Sequence, residues 1–387
     1  SPVLSVRCTE WRGEMYRKAG EYDRAAAEFE RLATLVRETD VMDTAAARKK
    51  RALSLIKRGE IELHRGDLDT AETLVTRGLH IYEDLGDSRG KAASLLRLGV
   101  VALTEGDYET AEERIARSLE RYRDCDDKSG TSRCLGNLAI IALRSDDLDA
   151  AAEYATHSLD VRRALGDRHG VADSHLLRGE IALERGVLDD AEEHVTRSFE
   201  IAREIGATRT EANSLLLLGD IEREKGNRSA AVEYLDKSLD IWEEIDVDHG
   251  TAECLRKLGA IRWENGEYEA AEETLTRSLE TVRTVGDRRT EAETLVDLGE
   301  VALERGAVER ARERLASASE AYRAIGVDEE ALTTLERLIE ICVTHGEKQA
   351  AREHCEEAVE LAEQADLPEI RTGFEDTLTG LSEETAR

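Results

Sequence analysis

A forty-residue spacing runs through this chain. Gly59, Gly99, Gly179, Gly219, Gly259 and Gly299 recur at that interval, as do Gly66, Gly106, Gly186, Gly226, Gly266 and Gly306. The same step carries Ala71, Ala111, Ala151, Ala191, Ala231, Ala271, Ala311 and Ala351. A unit copied at a period of roughly 20–50 residues buries its apolar face only against its neighbours, so the copies must stack into a solenoid or array. The pattern argues against a globular enzyme core.

The stretch from Asp87 to Asp126 serves as the type unit. Ala92, Leu95, Leu98, Ala102 and Leu103 keep a helical apolar stripe, and Gly106 is placed to end that helix. Asp107 opens a second stretch with Tyr108, Ala111, Ile115, Leu119 and Tyr122 on one face, and Asp recurs as the expected cap at Asp67, Asp107 and Asp147. Each unit reads as a helix, a tight turn and an antiparallel helix. Proline occurs only at Pro2 and Pro368, which suits uninterrupted helices.

These residues resemble the tetratricopeptide repeat family. The likeness rests on Leu98, Gly99, Gly106, Tyr108 and Ala111, which recur as Leu258, Gly259, Gly266, Tyr268 and Ala271, with Tyr or Leu at 68, 108, 148, 188 and 268 wedged between helices. At forty residues the unit is about six longer than usual for that family and is similar to its long-repeat branch, found in scaffolds and in sensor modules of regulators. The resemblance implies an all-α, right-handed α-solenoid of about nine helix-turn-helix repeats over residues 1–366. A C-terminal capping helix and tail follow at 367–387, with Ile370, Phe374, Leu378 and Leu381 as its apolar stripe. Some repeats depart from the pattern. Six extra residues precede the second repeat, so a longer helix or loop is expected between Asp40 and Leu53. Repeat four has Ala139 and Asp146 at glycine positions, and repeat nine has Ile339.

Acidic residues outnumber basic ones by 85 to 54, for a net charge of −31, and only ten of the basic residues are lysine. That surplus opposes nucleic acid and anionic membranes as partners. Sparse lysine with abundant Asp and Glu resembles proteins of salt-loving microbes, a halophilic archaeon here, in which low salt should loosen the fold. No apolar run approaches the roughly 20 residues that span a bilayer, and a cytoplasmic setting is expected. The chain opens at Ser1, almost at a repeat start and without an initiator Met, which suggests a trimmed chain or part of a longer polypeptide. Counting the first glycine of each repeat as position eight, Cys8, Cys134 and Cys254 fall at position three, Cys342 at eleven and Cys355 at twenty-four. Buried free thiols are expected there rather than disulfides.

Catalytic motifs are missing: no HExxH, GxSxG or GxGxxG is present, and the histidines lack ligand spacing, so neither a metal nor a cofactor is expected and the chain reads as a non-enzyme. The stretch Gly86–Lys91 is too short between its glycines for a phosphate loop, and Asp246, Asp248 and Gly250 lack the acidic partner of a calcium loop because Lys257 occupies its place.

Positions nine and thirteen of the first helix face the concave groove in the family resembled. There Glu180 with Glu184, Asp220 with Glu224, and Glu300 with Glu304 are i, i+4 pairs, and Glu264 continues the series. Like charges at that spacing repel by a few tenths of a kcal/mol, which something must offset. One reading is an acidic groove for a basic peptide or helix, with Trp263 as an aromatic anchor and Arg223 and Arg256 fixing register. The other is ordinary solvated carboxylates. In repeats two to four the inner positions turn apolar, with Ile56, Leu63, Leu96, Val100, Leu103, Ile140 and Leu143 beside Arg133 and Arg144. This surface suits an amphipathic helix of a partner or a second copy, unless tighter packing buries it. The expected function is a noncatalytic interaction scaffold that binds a protein or peptide. The alternative is a sensor or autoinhibitory segment of a larger signalling ATPase or transcription regulator.

Overall fold

The computed structural model describes residues 2–18, 21–38 and 44–385, and among them it contains nineteen α-helices and no strand. It divides into two compact halves, Ser1–Ile205 and Gly206–Arg387. The N-terminal half comprises α1 (Pro2–Lys18), α2 (Tyr22–Glu38), α3 (Thr44–His64), α4 (Leu68–Asp84), α5 (Ser88–Glu105), α6 (Tyr108–Asp124), α7 (Lys128–Arg144), α8 (Leu148–Leu165), α9 (Arg168–Glu184) and α10 (Leu188–Ile205). The C-terminal half comprises α11 (Thr208–Glu224), α12 (Arg228–Glu244), α13 (Asp248–Glu264), α14 (Tyr268–Val285), α15 (Arg288–Glu304), α16 (Val308–Ala324), α17 (Asp328–Thr344), α18 (Lys348–Gln364) and α19 (Pro368–Thr385).

Local chemistry sets these boundaries. The Asp67, Asp107 and Asp147 side chains each accept a hydrogen bond from the backbone N–H three residues on, capping α4, α6 and α8. Gly106 closes α5 in the left-handed region at φ 85°, and the next N–H, of Asp107, reaches back to the Ala102 carbonyl at 2.9 Å. In repeat four Asp146 takes the same turn at φ 59°, a conformation that aspartate tolerates better than most residues with a side chain. The extra residues before repeat two lengthen α3 to 21 residues, and the part of that insertion at 39–43 lies outside the described residues.

Within each half the first helix of a repeat packs on its own second helix, and the second helix packs on the first helix of the next repeat. First helices also touch one another, α3 with α5, α5 with α7 and α7 with α9 in the N-terminal half, and α11 with α13 and α13 with α15 in the C-terminal half. Within each half they therefore form one layer and the second helices the other. The recurring alanines are all fully buried at the crossing of the two helices.

Position eight shows why glycine recurs. A Cβ placed on Gly259 would stand 2.5 Å from Leu275 Cγ, and the glycines of the other repeats meet Phe29, Val75, Ile115, Val195, Leu235 or Leu315 in the same way. These partners occupy position twenty-four. Where position eight is larger, position twenty-four is smaller: Ala139 is matched with Ala155, and Ile339 with Cys355. In both exceptions the larger residue at position eight faces a smaller one at position twenty-four, as a close-packed interior requires.

Several sequence expectations need correction. Cys134, Cys254, Cys342 and Cys355 are buried free thiols, but Cys8 is exposed. Cys134 and Cys254 lie against Ser118 and Ser238 of the preceding second helix, and no such helix covers Cys8 among the described residues. In α19 Phe374 and Leu381 are buried and Leu378 packs against the same core, whereas Ile370 is exposed. No helix of the structure is long and apolar enough to cross a membrane.

Candidate partner-binding faces

The apolar stretch of the N-terminal half separates into two depths. Ile56, Leu96 and Leu143 are buried among the helices and belong to the core, so they are corrected from lining residues to packing residues. Leu63, Val100, Leu103 and Ile140 are only half-buried and remain available on the layer of first helices. Position five is buried in both Ile56 and Leu96 and position nine is half-buried in both Val100 and Ile140, whereas position twelve differs between repeats, half-buried in Leu63 and Leu103 and buried in Leu143.

The acidic positions are not a row of free carboxylates. A cation at position six reaches the carboxylate at position nine of the repeat before it. Arg97 binds Glu60 in this way in the N-terminal half, and in the C-terminal half Lys257 binds Asp220 at 2.9 Å and Arg337 binds Glu300 through two bonds of 2.8 Å. Arg144 approaches Glu180 at 3.5 Å, and Glu264 accepts from Arg223 Nε at 2.8 Å and from Arg228 Nε at 3.2 Å. Arg256 is turned inward to Glu293 and Asp297, at 3.2 and 3.3 Å. These ion pairs offset the like-charge repulsion without a partner. Among the position-thirteen carboxylates Glu264 is paired in this way, whereas Glu184, Glu224 and Glu304 are exposed, although the Tyr268 hydroxyl reaches Glu304 at 3.4 Å. Trp263 is half-buried against the core of α13–α15.

Burial alone would raise the Glu60 carboxyl, but Arg97, Lys57 and Arg17 outweigh it and hold it at about 2. The Glu264 carboxyl is likewise held below the usual range against its burial by Arg223 and Arg228.

The sequence reading missed a polar island at α8–α10. His175 occupies position four, where every later repeat and repeats two to four carry leucine. Its Nε2 lies 3.1 Å from Arg163 Nη2, and its Nδ1 lies 3.2 Å from His194 Nδ1. A guanidinium only donates, so His175 Nε2 accepts; His175 then donates through Nδ1–H to His194 Nδ1, which leaves the His194 proton on Nε2. Both rings are therefore neutral. Burial first, then His194, Arg163, Arg178 and Arg197, push the His175 pKa down to about 4. The unfolded chain takes up this proton near the ordinary histidine value and the folded chain only near 4. This contribution to stability is therefore complete above about pH 6.5 and is lost as pH falls toward 4, by up to about 3 kcal/mol. His175→Leu should flatten that part of the profile, as read from denaturant midpoints across the window; an unchanged slope would contradict the assignment.

Among the described residues no group of three or more His, Cys, Asp or Glu converges as a metal site.

A family model described as tetratricopeptide repeat matches residues 50–124, 91–164, 131–204, 170–244, 210–284 and 250–324, and a second model of the same description matches 296–366. No curated protein matches the sequence. Among solved structures the chain is similar to a Rap protein complexed with competence and sporulation factor, at 14% identity and TM-score 0.67, covering 95% of this chain and 99% of that one. It is also similar to a signal transduction ATPase with numerous domains that has a tetratricopeptide repeat sensor, from Pyrococcus horikoshii, at 14% identity and TM-score 0.58, covering 90% of this chain and 55% of that one. A third likeness is to a Rap conjugation gene regulator in complex with a Phr peptide, at 12% identity and TM-score 0.58, covering 86% of this chain and 98% of that one. At these identities the likeness is one of fold.

Proposed function

We propose that this chain, which belongs to the tetratricopeptide repeat family, is a noncatalytic scaffold that holds an amphipathic helix or peptide of a partner protein on its first helices. The observation that carries the reading is the half-buried apolar strip Leu63, Val100, Leu103 and Ile140 on the first helices of the N-terminal half, where the neighbouring position-nine carboxylates Glu60 and Glu180 are held by Arg97 and Arg144. The likeness to a Rap regulator in complex with a Phr peptide supports it. Glu184 in the N-terminal half, and Glu224 and Glu304 in the C-terminal half, are the carboxylates a basic partner would meet. The paired Glu180, Asp220, Glu264 and Glu300, with Arg223 and Arg256, hold the layer together. In this reading the acidic, lysine-poor surface belongs to a salt-rich cytoplasm.

Position nine provides a conservative test. Glu60, Glu180 and Glu300 occupy it in other repeats, so V100E/I140E places a side chain the fold already accepts there. A helical peptide with leucines on one face and lysines on the other, followed by fluorescence anisotropy, should bind the parent and lose about tenfold or more in affinity to the double variant. Loss of two buried apolar contacts is worth on this order. Undiminished binding would remove the strip from the site.

A second reading has its own support. The chain aligns over 90% of its length with 55% of the signal transduction ATPase carrying a repeat sensor. As a sensor segment it would use the same face but transmit occupancy to a further domain. A nucleotide-binding motif in the same reading frame would decide for that reading.

A further inference from the structure

The polar island at α8–α10 breaks the repeat pattern at positions that meet in space. His175 stands at position four, leucine in seven of nine repeats, and Arg178 stands at position seven, leucine in six of nine. Arg162 takes the position filled by Tyr82, Tyr122, Trp242 and Tyr322 elsewhere, and its stem lies over Gly170 as Tyr122 lies over Gly130. Such a concentration of cations in a chain of charge −31 is not the product of composition.

What Arg178 lacks, among the described residues, is a carboxylate partner. In repeat one, Arg12 at position seven is met by Glu28 at position twenty-three, 2.9 Å away. In repeat five position twenty-three is His194, and Arg178 forms no ion pair among the described residues. Among the described residues Arg162 donates to the Gly170 carbonyl and Ser174 Oγ, at 2.7 and 3.0 Å, and its buried Nε finds no partner there. Arg163 spends one donor on His175. The opposing charges that act on Arg162 are Asp173 and Asp167, and those that act on His194 are Glu193 and Asp190. Arg197 is occupied by Glu200 at 2.9 Å.

We propose that the α8–α10 junction binds a small oxyanionic ligand, of the phosphate or carboxylate class, through Arg178 and the free Nε2–H of His194, with Arg163 and His175 behind them. Arginine's fork and an imidazole N–H suit such an oxyanion. Arrival of the anion favours the protonated histidine pair, so binding and proton uptake are linked and affinity rises as pH falls.

The probe is inorganic phosphate, titrated calorimetrically into the whole chain at fixed ionic strength with chloride as the balancing anion. The parent should bind saturably, and more tightly at about pH 5.5 than at about pH 7.5. Arg178→Leu should weaken binding by about tenfold or more, and Arg178→Lys by less, because a charge remains without the fork. H175L/R178L restores the leucines that other repeats fold around. It should therefore keep its helical circular dichroism and lose phosphate. Parental affinity in H175L/R178L, or a parental response that chloride alone reproduces, would overturn the proposal. A small dicarboxylate titrated in parallel separates the two ligand classes by whichever binds more tightly.

Discussion

Gly259→Ile is expected to destabilise the C-terminal half by about 3 kcal/mol, and adding Leu275→Cys should return a large part of that loss. The Cβ alone would stand 2.5 Å from Leu275 Cγ and 2.7 Å from its Cδ2, and Leu275 is fully buried. Overpacking of this kind costs about 1–3 kcal/mol and sometimes more. The gain from replacing a helical glycine, at most about 1 kcal/mol, is the smaller effect. Repeat nine shows that the double replacement is a working solution, since Ile339 faces Cys355 there. Denaturant unfolding followed through Trp242 and Trp263 fluorescence gives the double-mutant cycle. A favourable coupling of about 1–3 kcal/mol is predicted. Additive effects would mean that positions eight and twenty-four do not share one volume.

Arg97→Met should cost about 2 kcal/mol near neutral pH, and E60M/R97M should cost less than the single change. Glu60 is 6% exposed, so its carboxylate has little water to fall back on when Arg97 is gone. Lys57 at 3.1 Å and Arg17 at 3.8 Å remain, which keeps the loss below that of a wholly unpaired buried charge, about 3–5 kcal/mol. The acid dependence has a definite sign. The folded carboxyl titrates near 2, below its unfolded value, so its contribution is complete above about pH 4.5 and disappears as pH falls toward 2. Arg97→Met should shrink that acid-sensitive part of the profile. In the equivalent Lys257–Asp220 and Arg337–Glu300 pairs the carboxylate is more exposed than Glu60, so breaking them should matter less.

Most of the fold was legible because the repeat fixes it several times over. The glycines at positions eight and fifteen and the alanine at twenty mark backbone approach and turn, and the aspartate caps mark helix starts. The inner face was harder to read. Pairing i with i+4 along one helix set Glu180 beside Glu184 and Asp220 beside Glu224, but the partners that decide their state, Arg144 and Lys257, lie 36 and 37 residues away in the neighbouring repeat. Depth was equally hidden. Val100 and Leu96 are both apolar and lie four residues apart on one face of α5, yet one is half-buried and the other almost fully so, a difference that the spacing alone does not carry. The sequence reading passed over His175, Arg162 and Arg178, although each breaks the repeat. They gained meaning only when the structure brought α8, α9 and α10 together.

Amide hydrogen exchange of the chain with and without the leucine-and-lysine helical peptide tests the binding account most directly. Added protection centred on α3, α5 and α7 in the N-terminal half is the predicted result. Protection centred on the second helices α4, α6 and α8, or no change with saturating peptide, would contradict it.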